Sequence, residues 1–201
     1  MKKNGAVYWI CGLAGSGKTS VAEKFSLLLT KKGVRPILLD GDYIRDSFDL
    51  PKDYTYEGRK KTARIYSKIT KMLSDQGFSV VVSVIAMFEE IFEFNRKNIK
   101  NYVEVFLDVP LDELVKRNKK KLYSSFYEGK TRNIVGLDIK AEFPKKPDII
   151  LCLEKLWMNN ILNIKDTVVV IGLSYPKSGN RFNHIQLHSI NDLVEIFNWK
   201  K

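Results

Sequence analysis

A three-layer α/β/α fold of the P-loop type, with a mainly parallel sheet of about five strands, is predicted by three observations. Residues Gly12 to Thr19, GLAGSGKT, fit the phosphate-binding pattern G-x-x-x-x-G-K-[ST] at every fixed position. An apolar run, Ala6 to Cys11, precedes this loop as a strand should, and Val21, Phe25, Leu28 and Leu29 follow it at helical spacing up to Gly33. Beyond it, apolar stretches of strand length alternate with amphipathic stretches of helical length as far as Leu151.

The loop carries the first chemistry. Its glycines let backbone N–H groups turn inward around a polyphosphate, and the helix N-terminus adds partial positive charge. Lys18 is placed to reach the β and γ phosphates and Thr19 to offer a hydroxyl to Mg²⁺, so Gly12, Gly15, Ser16, Gly17, Lys18, Thr19 and Ser20 are the candidate nucleotide-binding residues. ATP and Mg²⁺ are the cofactors this implies.

Pro36 to Leu39 reads as the second strand, ending on Asp40-Gly41-Asp42. Carboxylates at the C-terminal end of a parallel strand stand on the edge where ligands bind. A metal-bound polyphosphate needs a carboxylate near the metal and an acceptor hydroxyl needs a base, which makes Asp40 and Asp42 candidates; an ordinary Asp-Gly turn is the bland alternative. Arg45 to Arg59 reads as an irregular loop rich in aromatic residues, followed by a helix from about Arg59 to Ser74. Arg59 and Arg64 either reach an anionic substrate or form a solvated helix face. Phe78 to Ile85 is a Val-rich strand, Glu89 to about Ile99 a helix, Tyr102 to Val109 a strand, and Pro110 opens another helix with Asp112 and Glu113 in its first turn. That helix runs into Lys116-Arg117-Asn118-Lys119-Lys120-Lys121, a cationic segment able to close over phosphates. Pro147 to Leu151 is the fifth strand.

After Leu151 the pattern weakens, so residues 1–153 are read as one domain and residues 154–201 as an extension packed on it. Within the extension, Thr167 to Ile171 suits a strand, Tyr175 to Asn180 a turn-rich loop, and Asn191 the cap of a short helix ending near Trp199. His184 and His188 stand four apart, as zinc ligands on a helix can, but no glutamate accompanies them.

The 201 residues carry a net charge of +11, which suits a polyanionic small molecule, nucleic acid or an anionic membrane. Charge alone does not choose among them. No basic motif interleaved with aromatics marks a nucleic-acid module, and no run approaches the roughly 20 apolar residues of a membrane span. With two cysteines, and with the N-terminal apolar stretch already assigned to the first strand, a reducing cytoplasm is the expected address. A GTPase would add D-x-x-G and N-K-x-D; neither occurs. Retention of Lys18, Thr19 and Asp40 argues against an inactive scaffold.

Put in order, GLAGSGKT, LDGD at Leu39 to Asp42 with Arg45 after it, VFLDVPL at Val105 to Leu111, LY at Leu122 and Tyr123, and GLD at Gly136 to Asp138 resemble the adenylylsulfate kinase family over about Val7 to Leu151. The resemblance implies a P-loop kinase, usually a homodimer, that moves the γ-phosphate of Mg-ATP to the ribose 3′-hydroxyl of a nucleotide-linked anion. It makes Asp40 the base or metal organiser, Asp42, Arg45 and Arg59 substrate contacts, and Arg117 and Lys120 parts of a nucleotide lid. Ile85 and Ile134 take the places of two further substrate-side positions. The departures gather there. The family's DGDN has Tyr43 for Asn, a later asparagine is Thr62, Ile-Ser-Pro reads Ile85-Ala86-Met87, and Phe-Thr-Gly, whose ring stacks on adenine, reads Ile134-Val135-Gly136. The segment IAMFEEIFEFNR, Ile85 to Arg96, is similar to divergent members used in bacterial surface-polysaccharide modification, including kinases of cytidine diphosphoramidate.

Overall fold

The computed structural model describes residues 4–151 and two further strands, Thr167–Ser174 and Phe182–Ser189. In chain order the elements are β1 (Val7–Cys11), α1 (Lys18–Lys31), β2 (Ile37–Asp40), α2 (Gly41–Ser47), α3 (Tyr56–Asp75), β3 (Val80–Val84), α4 (Glu89–Asn98), β4 (Tyr102–Leu107), α5 (Leu111–Arg117), α6 (Leu122–Tyr127) and β5 (Ile149–Leu151). A 3-10 turn over Lys119–Lys121 joins α5 to α6. The sheet runs β2-β3-β1-β4-β5 with every pair parallel.

Period-2 alternation along the strands sorts the core into two layers. Val7, Trp9 and Cys11 of β1 and Val80, Val82 and Val84 of β3 pack with Ala63 and Tyr66 of α3 and Ile91 and Phe92 of α4. Ile10, Val81, Val105 and Leu107 point the other way, against Ala22 of α1. β3 is buried along its whole length, which explains its valine-rich run. From β1 the chain crosses to the far edge, returns to β3, then passes β1 to build β4 and β5. The carboxyl end of β1 is therefore the switch point, where a parallel sheet opens its ligand crevice.

The region from Arg45 to Arg59 differs from the expected loop. Residues Gly41–Ser47 form α2, capped by Asp40, whose carboxylate accepts from the amides of Asp42 and Tyr43 at 3.0 and 3.4 Å. The next helix starts at Tyr56, before Arg59, because the Thr55 hydroxyl caps the Gly58 amide at 3.2 Å. A seven-residue helix is too short to show periodicity, and the caps are its sequence signal.

β6 (Thr167–Ser174) and β7 (Phe182–Ser189) pair antiparallel, so the strand expected from Thr167 is present. His184 and His188 lie on β7, a strand and not a helix. The loop expected at Tyr175 to Asn180 and the helix expected from Asn191 to Trp199 fall outside the described residues.

Candidate active site

The glycine loop leaves the carboxyl end of β1 and closes on the first turn of α1. A Cβ at Gly12 would stand 2.8 Å from Ser16 Oγ and 3.0 Å from the Leu107 carbonyl oxygen, so the loop tolerates no side chain there. Gly15 and Gly17 hold positive φ of 78° and 95°, the second as the N-cap of α1. Lys18 opens the helix, buried, and donates through Nζ to the Leu13 carbonyl at 2.7 Å and Ser16 Oγ at 3.5 Å. Its ammonium thus lies folded along the loop, where a phosphate would sit. Burial pushes the Lys18 pKa down to about 8, against the opposing pull of Cys11, Asp40 and Asp42. From α6, the Tyr123 hydroxyl donates to the Ala14 carbonyl at 2.8 Å and clasps the loop from outside. Gly12→Ala should weaken nucleotide binding by about 5- to 150-fold, the effect of an overpacked site costing about 1–3 kcal/mol, with the far-UV dichroism retained. Calorimetric titration with a nonhydrolysable ATP analogue checks this.

Beside the loop, β2 presents Asp40 and α1 presents Thr19. Thr19 Oγ1 donates to Asp40 Oδ2 at 2.9 Å, while Asp40 Oδ1 holds the start of α2. One carboxylate oxygen is structural and the other faces the cleft. Ser83 of β3, aligned with Asp40 in the parallel register, places its Oγ 3.5 Å from Thr19 Oγ1. A carboxylate with two hydroxyls is a hard-oxygen set of the kind that Mg²⁺ takes, so these residues fit the metal implied by the loop. Sequence patterns alone miss Ser83, whose signal is a lone hydroxyl inside a valine run.

On the acceptor side, Arg45 and Arg59 both lie over Tyr54, with guanidinium carbons 5.2 and 5.0 Å from its ring centre. Arg45 also pairs with Asp42 at 3.6 Å, and Lys120 reaches the other Asp42 oxygen at 3.6 Å, tying the segment after α5 to α2. Arg59 donates to the Tyr54 carbonyl at 3.0 Å and to the Asn133 carbonyl at 2.7 Å. Burial, then the neighbouring Arg45, hold the Arg59 pKa below its ordinary value. Two guanidiniums held together against that repulsion make a natural seat for an anion. The turn that Arg59 touches is built by Asp138, which accepts from the amides of Asn133 and Ile134 at 2.7 and 2.6 Å. Burial raises the Asp138 pKa and these amide bonds outweigh it, so the net direction is down.

Other predicted residues are dispersed around this centre. Arg64, left open between substrate and solvent, pairs with Glu90 of α4 at 3.1 Å, and Lys60 shares that carboxylate. Ile85 is half-buried just after β3, and Ile134 is only 3% exposed, inside the wall rather than on it. Phe88 is equally enclosed at 1% and packs edge-on to Tyr56, whereas Tyr54 is 40% exposed. Arg117 ends α5, and positive φ values at Asn118, Lys120 and Lys121 break the basic run into a turn. Ser20 is exposed on α1. A cavity of about 280 Å³ lies between Leu13, Asp108, Leu111, Leu137 and Phe143, and neither Lys18 nor Asp40 lines it.

A family model described as adenylylsulphate kinase matches residues 4–152. The chain belongs to the adenylylsulfate kinase family. It is accordingly a phosphotransferase with a hydroxyl acceptor, of an ATP-dependent family. Among curated relatives, cytidine diphosphoramidate kinase of Campylobacter jejuni is 37% identical over 80% of this chain and 92% of its own length. Adenylyl-sulfate kinase of Clostridium acetobutylicum is 35% identical over 74% of this chain and 75% of its own. The solved Mycobacterium tuberculosis APS kinase in complex with AMPPNP and APS superposes with a TM-score of 0.69 at 30% identity, over 79% of this chain and 96% of that one. The P-loop kinase fold read from the sequence is therefore the fold of the adenylylsulfate kinases. Among the described residues, no helix is long and apolar enough to cross a membrane.

Proposed function

We propose that this member of the adenylylsulfate kinase family transfers the γ-phosphate of Mg-ATP to the ribose 3′-hydroxyl of a nucleotide-linked anion, and that adenylylsulfate is a poor acceptor. The observation that carries the reading is the contrast between the two halves of the site. The phosphate loop with Lys18 and Thr19, and Asp40 beside it, match the family's donor-side motifs, while the position that stacks on adenine in the family is Ile134, which is enclosed. Lys18 neutralises charge shifting between the β and γ phosphates, and the loop amides hold the oxygens in line. Thr19 and Asp40 would hold Mg²⁺, which would supply further charge neutralisation at the phosphates. Where Asp40 serves as the base rather than the metal organiser, the oxygen facing Thr19 orients the acceptor hydroxyl and takes its proton as the new P–O bond forms and the bond to ADP breaks; a loose transition state asks little of that base until late. Arg45 and Arg59 seat the acceptor's anion, and Arg117 and Lys120 close over the nucleotide.

Tyr54, 40% exposed and held by both arginines, is the aromatic side chain assigned to the acceptor's base, and stacking of a base on an aromatic ring contributes about 1–3 kcal/mol. With Ile134 unable to complete a two-sided stack, a smaller pyrimidine suits the cleft better than adenine. The 37% identity to a cytidine diphosphoramidate kinase supports that choice, and a place in surface-polysaccharide modification is proposed together with it. Residues 1–153 carry this activity and residues 154–201 extend the same domain; a cytoplasmic homodimer is the state proposed for it.

Coupled assays of ADP release across adenylylsulfate, cytidine diphosphoramidate and plain nucleoside diphosphates test the reading. Cytidine diphosphoramidate should exceed adenylylsulfate at least about tenfold in kcat/KM, the discrimination that about 1.4 kcal/mol of stacking represents. A kcat/KM on adenylylsulfate in the range of about 10⁴–10⁸ M⁻¹s⁻¹ would overturn it and restore the sulfate-assimilation activity.

A further inference from the structure

The second hydroxyl at the metal site has no role in the function proposed above. Ser83 is 3% exposed, enclosed near the carboxyl end of β3, the strand between β2 and β1, and its hydroxyl meets Thr19 Oγ1 at 3.5 Å. Thr19 has one proton to donate, and it points at Asp40 Oδ2. The other Asp40 oxygen is already committed to the α2 amides. As the residues stand, the Thr19 proton takes one lone pair of Asp40 Oδ2, so a cation at that oxygen would share it with a hydrogen bond that draws off part of its charge, and a serine or threonine that ligates a cation must send its proton away from it.

We infer, resting on the Mg-ATP donor half of the proposed function, that Ser83 is a positioning residue for the metal: its Oγ accepts the hydrogen bond from the Thr19 hydroxyl when the cation binds, and so frees Asp40 Oδ2. The register supports this. Ser83 pairs with Asp40 on one side and with Ile10, at the end of β1, on the other, so it stands between the acidic strand and the strand that feeds the glycine loop. P-loop NTPases commonly hold Mg²⁺ with the loop hydroxyl and a second carboxylate at the end of a neighbouring strand. Here the carboxylate comes from β2, one strand further out, and β3, the strand next to β1, contributes a neutral acceptor instead. A buried serine placed only for packing would instead be exchangeable for alanine without effect on metal.

Ser83→Ala removes the acceptor and leaves Thr19 competing with the cation for Asp40. The apparent Kd for Mn²⁺, followed by electron paramagnetic resonance with a nonhydrolysable ATP analogue present, should rise about 5- to 10-fold, the equivalent of one hydrogen bond of about 1 to 1.4 kcal/mol. Affinity for the analogue without metal should stay unchanged, and kcat should recover at saturating Mg²⁺. Ser83→Thr keeps the hydroxyl and should restore the wild-type Mn²⁺ affinity, and thermal melting of each variant shows whether it is folded. Equal Mn²⁺ affinity in wild type and Ser83→Ala, or failure of a folded Ser83→Thr to restore it, overturns the assignment. If wild type itself takes up no Mn²⁺-nucleotide, the donor reading fails rather than the role of Ser83 alone.

Discussion

Lys18→Ala abolishes measurable phosphoryl transfer, a loss of at least about 10³-fold, while the chain stays folded. The expected size comes from removing a preorganised cation from the place where charge develops, which contributes several kcal/mol in enclosed sites. The fold survives because the Lys18 ammonium is a cost to it. Unfolded, the lysine keeps its proton up to its ordinary 10.5; folded, burial lets it go at about 8. Between those values the unfolded chain binds more protons and stability rises with pH, and below about 8 the full cost of enclosing the charge is present. Lys18→Met, apolar and similar in length, should therefore melt higher than the wild type at about pH 7 without nucleotide, with the difference narrowing toward about pH 10. Mg-ATP reverses the order, since phosphates replace the water that Lys18 has lost, and saturation at about 100 times Kd should stabilise the wild type by about 2.7 kcal/mol and the variants by far less. Equal stabilisation of wild type and Lys18→Ala by Mg-ATP would refute the assignment.

Asp40→Asn should lower kcat by about 10²- to 10⁴-fold with a much smaller effect on ATP affinity. The substitution separates the two duties of this residue. Asparagine is as good an N-cap as aspartate, so its oxygen can keep the amides of Asp42 and Tyr43 and α2 stays in place. The oxygen facing Thr19 becomes an amide or loses its charge, so it neither balances a metal nor takes a proton. Steady-state turnover measured beside ATP binding distinguishes the cases: near wild-type kcat would return Asp40 to being a helix cap alone.

The sequence by itself determined the sheet's membership, the strand-loop-helix unit at its centre and the residues of the phosphate loop. These are written in contiguous residues, as a motif of fixed spacing or as a period of about 2 or 3.6, and need no partner elsewhere in the chain to be read. It also placed Asp40 at a strand end. That its carboxylate caps a helix with one oxygen and meets Thr19 with the other was a matter of tertiary structure, because α2 is too short to leave a period. The meeting of Thr19 with Ser83 needed the strand order, since β3 enters between β1 and β2 and brings together residues 64 apart. The same holds for the arginines. Arg59 and Arg64 are equivalent by composition, and packing alone sends one to the Tyr54 ring and the Asn133 carbonyl and the other to Glu90. Local patterns report which face of an element is apolar; they carry no information on which neighbour covers it, and the site is assembled from such neighbours.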